Sequence, residues 1–164
     1  MTRRGAVLLL VLAGLAGPAF ADCSDSAAPK VKWYRCLMDS RVLTGVDLSE
    51  ATLRDAAFMR ADLSGSNLSG ADAYRAKFVS GKLLGTVFDG ARLIDADFSR
   101  ADLTGASFKG ADLRGTRFYE ADLRKANFSG ARLERADLRN ADLAGATWTD
   151  GSHVCVAPSV GQCN

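Results

Sequence analysis

Residues 46–150 repeat with a period of five, and the repeat holds through 21 units without an insertion or a deletion. The units at 61–65, 101–105 and 141–145 show it most clearly, because each reads Ala-Asp-Leu, then a short residue, then Gly. The third residue of a unit, here called its centre, is Leu twelve times and Phe seven times, and otherwise Ala73 or Trp148. A period of five fits neither a helix nor a continuous strand. Each unit is therefore predicted to form a short extended side followed by a corner.

The alternation within a unit predicts which residues face the core. In an extended side, residues two apart share a face, so the centre and the first residue both point inward. The first residue is Ala in 16 units, which leaves room for a large centre beside it. Asp holds the outward second position nine times, where its carboxylate can accept hydrogen bonds from corner amides. Gly holds the fifth position nine times, which suits a corner with unusual backbone dihedrals.

Five residues cannot bury their own apolar face, so the units must wind into a solenoid. From Phe78 to Phe128 the Phe centres recur every ten residues. Four units per coil place these rings in two columns on opposite sides, whereas three units per coil would scatter them. The sequence thus predicts an all-β quadrilateral β-helix of about five 20-residue coils, on the order of 25 Å long at the spacing of paired strands.

The Ala-(Asp/Asn)-Leu-x-x pattern resembles the pentapeptide repeat family, and the similarity extends over the greater part of the chain. This resemblance implies that the β-helix is right-handed. The repeat period by itself does not specify the handedness. The ends, with Val31-Lys32-Trp33 before Cys36 and 148–151 before Cys155, resemble those of exported members.

Residues 1–21 are interpreted as a Sec-type signal peptide of a bacterial protein. Two arginines precede an apolar run at 6–17, and residues 19–21 fit the small-x-small cleavage pattern. We expect cleavage before Asp22 and a periplasmic or secreted mature chain that is not inserted in a membrane.

Three alternatives to a cleaved Sec signal are less favoured. An uncleaved anchor would need a longer apolar run to span a bilayer. A lipoprotein signal would need a small residue before Cys23, where Asp22 stands. Twin-arginine export would need different residues after Arg4 than Gly-Ala.

The chain divides into the signal at 1–21, a cap and lead-in at 22–45, the repeats at 46–150 and a cap at 151–164. Trp33, Met38 and Leu43 already keep the phase of the repeats. Trp33 and Tyr34 are expected to cover one open end of the core, and Trp148 with the tail at 151–164 is expected to cover the other, since open ends would expose unpaired edges.

All four cysteines lie in the caps, and export should oxidise them. Cys36 and Cys155 belong to opposite ends of a rod, too far apart for a disulfide or for a shared zinc ion. We therefore expect the pairs Cys23–Cys36 and Cys155–Cys163.

The sequence predicts no enzyme site, no cofactor and no metal site. His153 is the single histidine and is interpreted as a solvated cap residue. With 20-residue coils, Asp102, Asp122 and Asp142 stack on one side, and a cation could in principle bind there. The favoured interpretation is that each of these carboxylates bonds its own corner.

The coil at 71–90 is the least regular, and it suggests a candidate interaction patch. Outward apolar residues cluster there and in the adjacent coils: Met59, Tyr74, Val79 and Ile94. Such a patch can mark a contact surface. The alternative is that Tyr74 folds over the gap left by the small centre Ala73 and that the others are scattered apolar residues.

Removal of the signal leaves 19 basic and 19 acidic residues, so charge favours neither nucleic-acid binding nor nucleic-acid mimicry. The first hypothesis is that the chain is a non-enzymatic exported scaffold that contacts an unidentified macromolecule. We expect the scaffold to be a monomer and its partner to be a protein. The second follows from the resemblance, since some family members mimic DNA and protect type II topoisomerases. Those members are cytosolic, strongly acidic and dimeric through a C-terminal helix, and this chain departs from them in each respect.

Overall fold

The computed structural model describes residues 23–164. Within this range there is no helix and no continuous strand, because each unit contributes a single bridge residue at its second position. Every parallel bridge joins residues 20 apart, from Lys32↔Thr52 to Asn127↔Thr147. The chain therefore winds with four units per coil, which confirms the predicted quadrilateral β-helix.

Residues 31–150 form six coils, since the lead-in completes one coil before the regular repeats begin. In this first coil, side A is 31–33, side B is 36–38, side C is 41–43 and side D is 46–48. Each later coil repeats the four sides 20 residues further along, so that each side of the rod is a column of stacked units.

Nearly every corner is a four-residue turn closed by a backbone hydrogen bond, such as the one from the Ala51 amide to the Leu48 carbonyl at 3.1 Å; at 43–46 the Val46 amide donates to the Ser66 hydroxyl instead. Up to Gly145, the fifth residue of the unit has a positive φ, whether it is Gly65 (67°) or Arg100 (59°). A positive φ at the third residue of such a turn is typical of a type II turn. This geometry explains why Gly recurs at the corner, and it means that non-glycine corners carry some backbone strain.

Two columns of phenylalanine fill the core, as the ten-residue spacing predicts. On side B, the rings of Phe78 and Phe98 stack at 4.7 Å between centroids, and those of Phe98 and Phe118 at 5.3 Å. On side D, Phe88 and Phe108 stack at 5.1 Å. Rings of the two columns meet edge to face between 5.5 and 6.1 Å, and all are fully buried.

The hydroxyl groups at inward positions are hydrogen-bonded. Ser66, Thr86 and Thr116 take the place of Ala at the first position, and they are fully buried. Each hydroxyl donates to the carbonyl of a centre in the preceding coil, for example Thr86 Oγ1 to the Leu63 oxygen at 2.9 Å. These buried hydroxyl groups therefore all have hydrogen-bond partners.

Both ends of the rod carry a disulfide with the predicted partners. Cys23 pairs with Cys36 and Cys155 with Cys163, at Cα–Cα distances of 5.4 and 4.9 Å. The C-terminal tail turns back and runs antiparallel over the last coil through the bridges Thr147↔Val154 and Asp142↔Val160.

No helix that could cross a membrane occurs between residues 23 and 164. The predicted signal peptide at 1–21 and the predicted cleavage site before Asp22 lie outside the described residues.

Candidate interaction surfaces

The outward Asp and Asn residues at the second position are bound to their own corners. Asp62 accepts a hydrogen bond from the Ser64 amide at 3.1 Å, and Asn127 accepts one from the Ser129 amide at 2.9 Å. The coil-to-coil backbone bonds at these corners are made by the fifth residue, such as that from the Gly65 amide to the Leu84 carbonyl at 2.8 Å, so the Asp or Asn side chain supplies an acceptor for the remaining amide of the fourth residue. These side chains therefore stabilise the fold, and their engaged oxygens are less accessible for binding a ligand.

The acidic column on side C follows the same pattern. Asp102, Asp122 and Asp142 each accept a hydrogen bond from the amide two residues on, at 3.0 to 3.1 Å. The Arg124 Nε also donates to Asp122 at 2.8 Å. Within residues 23–164, no group of three or more His, Cys, Asp and Glu residues is placed to hold a metal ion.

Arginines at the fourth position clamp the carboxylate of their own unit. Arg139 donates from Nε and from a terminal guanidinium nitrogen to the two oxygens of Asp137, at 2.9 and 2.8 Å. These hydrogen bonds lower the pKa of the Asp137 carboxyl to about 2. Arg114 lowers the pKa of Asp112 in the same way. Because two hydrogen bonds join each guanidinium to its carboxylate, the paired charges are held in fixed positions on an exposed face.

Charges alternate along sides A and B. On side A, Arg92 bonds Asp72 of the preceding coil at 3.0 Å. On side B, Arg117 bonds Asp97 of the preceding coil at 2.8 Å. A groove of about 500 Å³ at the corner between these sides is lined by both signs of charge: Arg35, Asp55, Arg75, Lys77, Asp95, Asp97 and Arg117. This face offers alternating charge rather than a continuous acidic surface.

The four residues of the candidate interaction patch lie on two corners. Tyr74 and Ile94 stack at the corner between sides A and B, whereas Met59 and Val79 stack at the corner between sides B and C. All four are half-buried. The Lys77 and Asp97 positions of side B lie between the two pairs, so charged residues interrupt the apolar surface.

Tyr74 is surrounded by arginines. The guanidinium carbons of Arg92, Arg54 and Arg75 lie 4.8, 5.1 and 5.9 Å from the centroid of its ring. Cations over an aromatic face are favourable, and here they cover much of the ring. Any partner at this corner would meet three arginines as well as an aromatic side chain.

The large apolar side chains that are most exposed lie at the ends of the rod. Leu37 and Val42 are 77% and 76% exposed in the first coil, and Val156 is 64% exposed in the tail. The remaining members of this group at the ends are Tyr34, Val154 and Val160, while Leu84 belongs to the corner between sides C and D. At the N-terminal end, a cavity of about 250 Å³ lies between the lead-in at 23–27 and the centres Trp33, Met38 and Leu43.

Reasoning from the sequence missed these terminal residues. Leu37 and Val42 occupy second positions, where the other units carry mostly polar residues. Because Trp33, Met38 and Leu43 are in phase, this departure could have been detected by extending the register into the lead-in. His153 lies in the C-terminal cap, where its amide donates to Asp150 Oδ1 at 2.8 Å.

Comparisons with known proteins agree with this architecture. Two family models match the chain, one for the pentapeptide repeat region at residues 73–152 and one for eight pentapeptide repeats at 42–78. A pentapeptide repeat protein from the Arabidopsis thaliana thylakoid lumen is 24% identical with a TM-score of 0.57, over 58% of this chain and 67% of that one. A search among curated proteins finds no similar sequence.

Two further solved structures are more distant in shape. HetL, a protein involved in heterocyst differentiation regulation in the cyanobacterium Nostoc, is 31% identical with a TM-score of 0.33, over 74% of this chain and 67% of that one. QnrB1, a plasmid-mediated fluoroquinolone resistance protein, is 19% identical with a TM-score of 0.40, over 73% of each chain. The family models together span residues 42–152, more than half of the sequence. The chain therefore belongs to the pentapeptide repeat family, whose fold is the right-handed quadrilateral β-helix.

Proposed function

We propose that this chain is a non-enzymatic scaffold that acts outside the bacterial cytosol and binds another protein. The observation that carries the proposal is the pair of disulfides, one at each end of the rod. Structural disulfides persist in oxidising compartments and are rare in the reducing cytosol. The structurally similar Arabidopsis protein comes from the thylakoid lumen, which also lies outside a cytosolic compartment.

Binding to a protein is supported by how the polar and apolar groups are distributed. The Asp and Asn side chains of the repeats are engaged in corners, so the sides form a stiff surface that needs little ordering on contact. The exposed apolar side chains at the ends are the kind of surface that protein partners cover.

The charge pattern does not favour a mimic of DNA. Arg92 beside Asp72 and Arg117 beside Asp97 give alternating signs on sides A and B. A duplex backbone carries one sign of charge throughout. Protection of a topoisomerase is therefore not the function proposed for this chain.

Site-specific photo-crosslinking in intact cells tests the proposal. A photoreactive residue would replace Val154 at the C-terminal end or Val79 in the candidate interaction patch, with Thr104 on another corner as the control. We expect a discrete protein adduct from Val154 or Val79, recovered only with the cell envelope or the medium. Equal labelling from all three positions, or an adduct with a cytosolic protein, would contradict the proposal.

The candidate interaction patch can be tested separately. Tyr74→Asp combined with Val79→Asp should weaken any adduct formed near this patch and leave the fold intact, since both side chains are only half-buried. Circular dichroism of the purified variant checks the fold. If the adducts are unchanged, the patch does not contact the partner and the ends remain as the contact surface.

A further inference from the structure

Among the residues that the structure describes, 23–164, a following segment covers only two of the four sides of the last coil. The tail forms bridges with side C at Asp142↔Val160 and with side D at Thr147↔Val154. Sides A and B of the last coil, residues 131–140, form no bridge to a following segment. The C-terminal end of the rod is therefore a step, with residues 131–140 as its open edge.

Backbone amides along this open edge lack acceptors. In the preceding coil, the Leu113 amide donates to Arg132 at 2.9 Å and the Phe118 amide donates to Asp137 at 2.7 Å. The corresponding donors in the open edge have no acceptor within residues 23–164: Leu133, Arg135, Leu138 and Asn140. These amides have the same spacing as the donors that join each earlier coil to the coil that follows it.

The core beneath the open edge is also uncovered. Leu113 and Phe118 are fully buried, whereas Leu133 and Leu138 above them are half-buried. The tail brackets this surface, because Gly151 lies near Ser129 before it, and Gly161 lies near the Leu138 carbonyl and the Asn140 amide at its end. The open edge is a slot with the length of two pentapeptide units.

Charges specify what would fit over the open edge. On side A the column reads Asp72, Arg92, Asp112 and Arg132, and on side B it reads Lys77, Asp97, Arg117 and Asp137. Arg132 already lies 3.8 Å from Glu134, and Arg139 already binds Asp137. Continuing the alternation adds a carboxylate over Arg132 and a second cation over Asp137, as Asp112 has both Arg114 of its own unit and Arg132 of the next coil. Arg135, exposed at the corner between them, adds a second site for a carboxylate.

We propose that the open edge binds an extended segment of a partner protein, which adds two pentapeptide units over sides A and B. The segment would read small-Asp-Leu-x-Glu, then small-Lys-Leu, parallel to residues 131–140. Its carbonyls would accept from the unpaired amides, as in strand addition to a sheet edge, and its two Leu side chains would cover Leu133 and Leu138. This inference rests on the proposed function as a protein-binding scaffold, and it identifies where the partner docks and what chemistry it carries.

Fluorescence anisotropy with the full oxidised protein tests this docking site. The probe is a labelled peptide, Ala-Asp-Leu-Ser-Glu-Ala-Lys-Leu-Ser-Gly, and its control exchanges the acidic residues with the basic one, giving Ala-Lys-Leu-Ser-Lys-Ala-Asp-Leu-Ser-Gly. We expect the first peptide to bind saturably, with a dissociation constant about tenfold lower than that of the second. The difference is expected because the first peptide makes three favourable solvent-exposed charge contacts. The combined variant Arg132→Glu, Arg135→Glu and Asp137→Lys should invert this preference.

Arg100→Glu is the matched control variant, because Arg100 is exposed on another corner and should leave both affinities unchanged. Circular dichroism and thermal unfolding establish that each variant keeps its fold. Equal affinity for both peptides, no saturable binding up to about 1 mM, or an unchanged preference in a folded triple variant would overturn the proposal. A dimer that the peptide dissociates would also overturn it, because the occupant would then be a second copy of this chain.

This experiment uses purified protein and does not depend on where the chain resides in the cell. Its failure would remove the docking site and leave the crosslinking test of the proposed function intact. Conversely, a cytosolic, reduced protein would contradict the proposed function even if the peptide bound.

Discussion

The phenylalanine columns give the sharpest test of what stabilises the rod. Phe98 is fully buried and has four ring partners: Phe78 and Phe118 at 4.7 and 5.3 Å in its own column, and Phe88 and Phe108 at 5.5 and 6.0 Å across the core. Phe98→Leu keeps an apolar centre, of the kind that most units have, but removes all four ring contacts.

The expected cost follows from those contacts. An aromatic pair contributes about 0.5–1.5 kcal/mol beyond the area it buries, and such terms are not additive within one cluster. The smaller side chain also leaves part of its site unfilled, which adds to the cost. We expect Phe98→Leu to lower the free energy of unfolding by about 3 kcal/mol.

A double-mutant cycle separates ring stacking from loss of volume. Phe78→Leu, Phe98→Leu and the double variant would be unfolded in denaturant with both disulfides intact, and followed by circular dichroism. The stacked pair should give a coupling energy of about 1 kcal/mol. A coupling below about 0.3 kcal/mol would refute the claim that stacking stabilises the column, and the rings would then act only as apolar volume.

Three further predictions concern the corners, the charges and the caps. Arg100→Gly should raise the free energy of unfolding by about 0.5–1 kcal/mol, measured in denaturant, because Arg100 is exposed and held at a φ of 59°. The pKa of Asp137 is lowered to about 2 in the folded protein, so the unfolded chain takes up a proton at this carboxyl more readily. The stabilisation that ionised Asp137 contributes is therefore present above about pH 4 and is lost as the pH falls toward 2. Asp137→Asn should therefore flatten the dependence of the unfolding midpoint on pH in that window, and an unchanged slope would contradict the assignment. Replacing Cys155 and Cys163 with Ser should cost about 2–3 kcal/mol by the loop-closure relation and should speed hydrogen exchange at the last coil.

Much of the fold can be predicted from the sequence because one short repeat encodes it. The alternation of Ala and a large centre specifies the inward face, and the spacing of Phe78, Phe88 and Phe98 specifies four units per coil. That geometry then separates Cys36 from Cys155 and leaves one pairing of the cysteines. The corner role of Asp follows from the chemistry of a short carboxylate next to a turn, and the hydrogen bonds of Asp62 and Asp102 confirm it.

The surfaces are less predictable, because they depend on where the repeat stops. The periodicity does not specify the path of the tail, so the step that leaves Leu133 and Leu138 half-buried could not be anticipated. The arginines around Tyr74 could have been anticipated, since Arg54 is 20 residues before it in the coil register. The candidate interaction patch stays a prediction, now with charged residues between its two halves.

The most direct test of the central claim, an exported and disulfide-capped scaffold, is the intact mass of the protein from its own cells under non-reducing conditions. We predict a chain that begins at Asp22 and is about four hydrogens lighter than its fully reduced form, as two disulfides require. A full-length, reduced chain would contradict the account, because it would place the protein in the cytosol and leave the caps without their oxidised pairs.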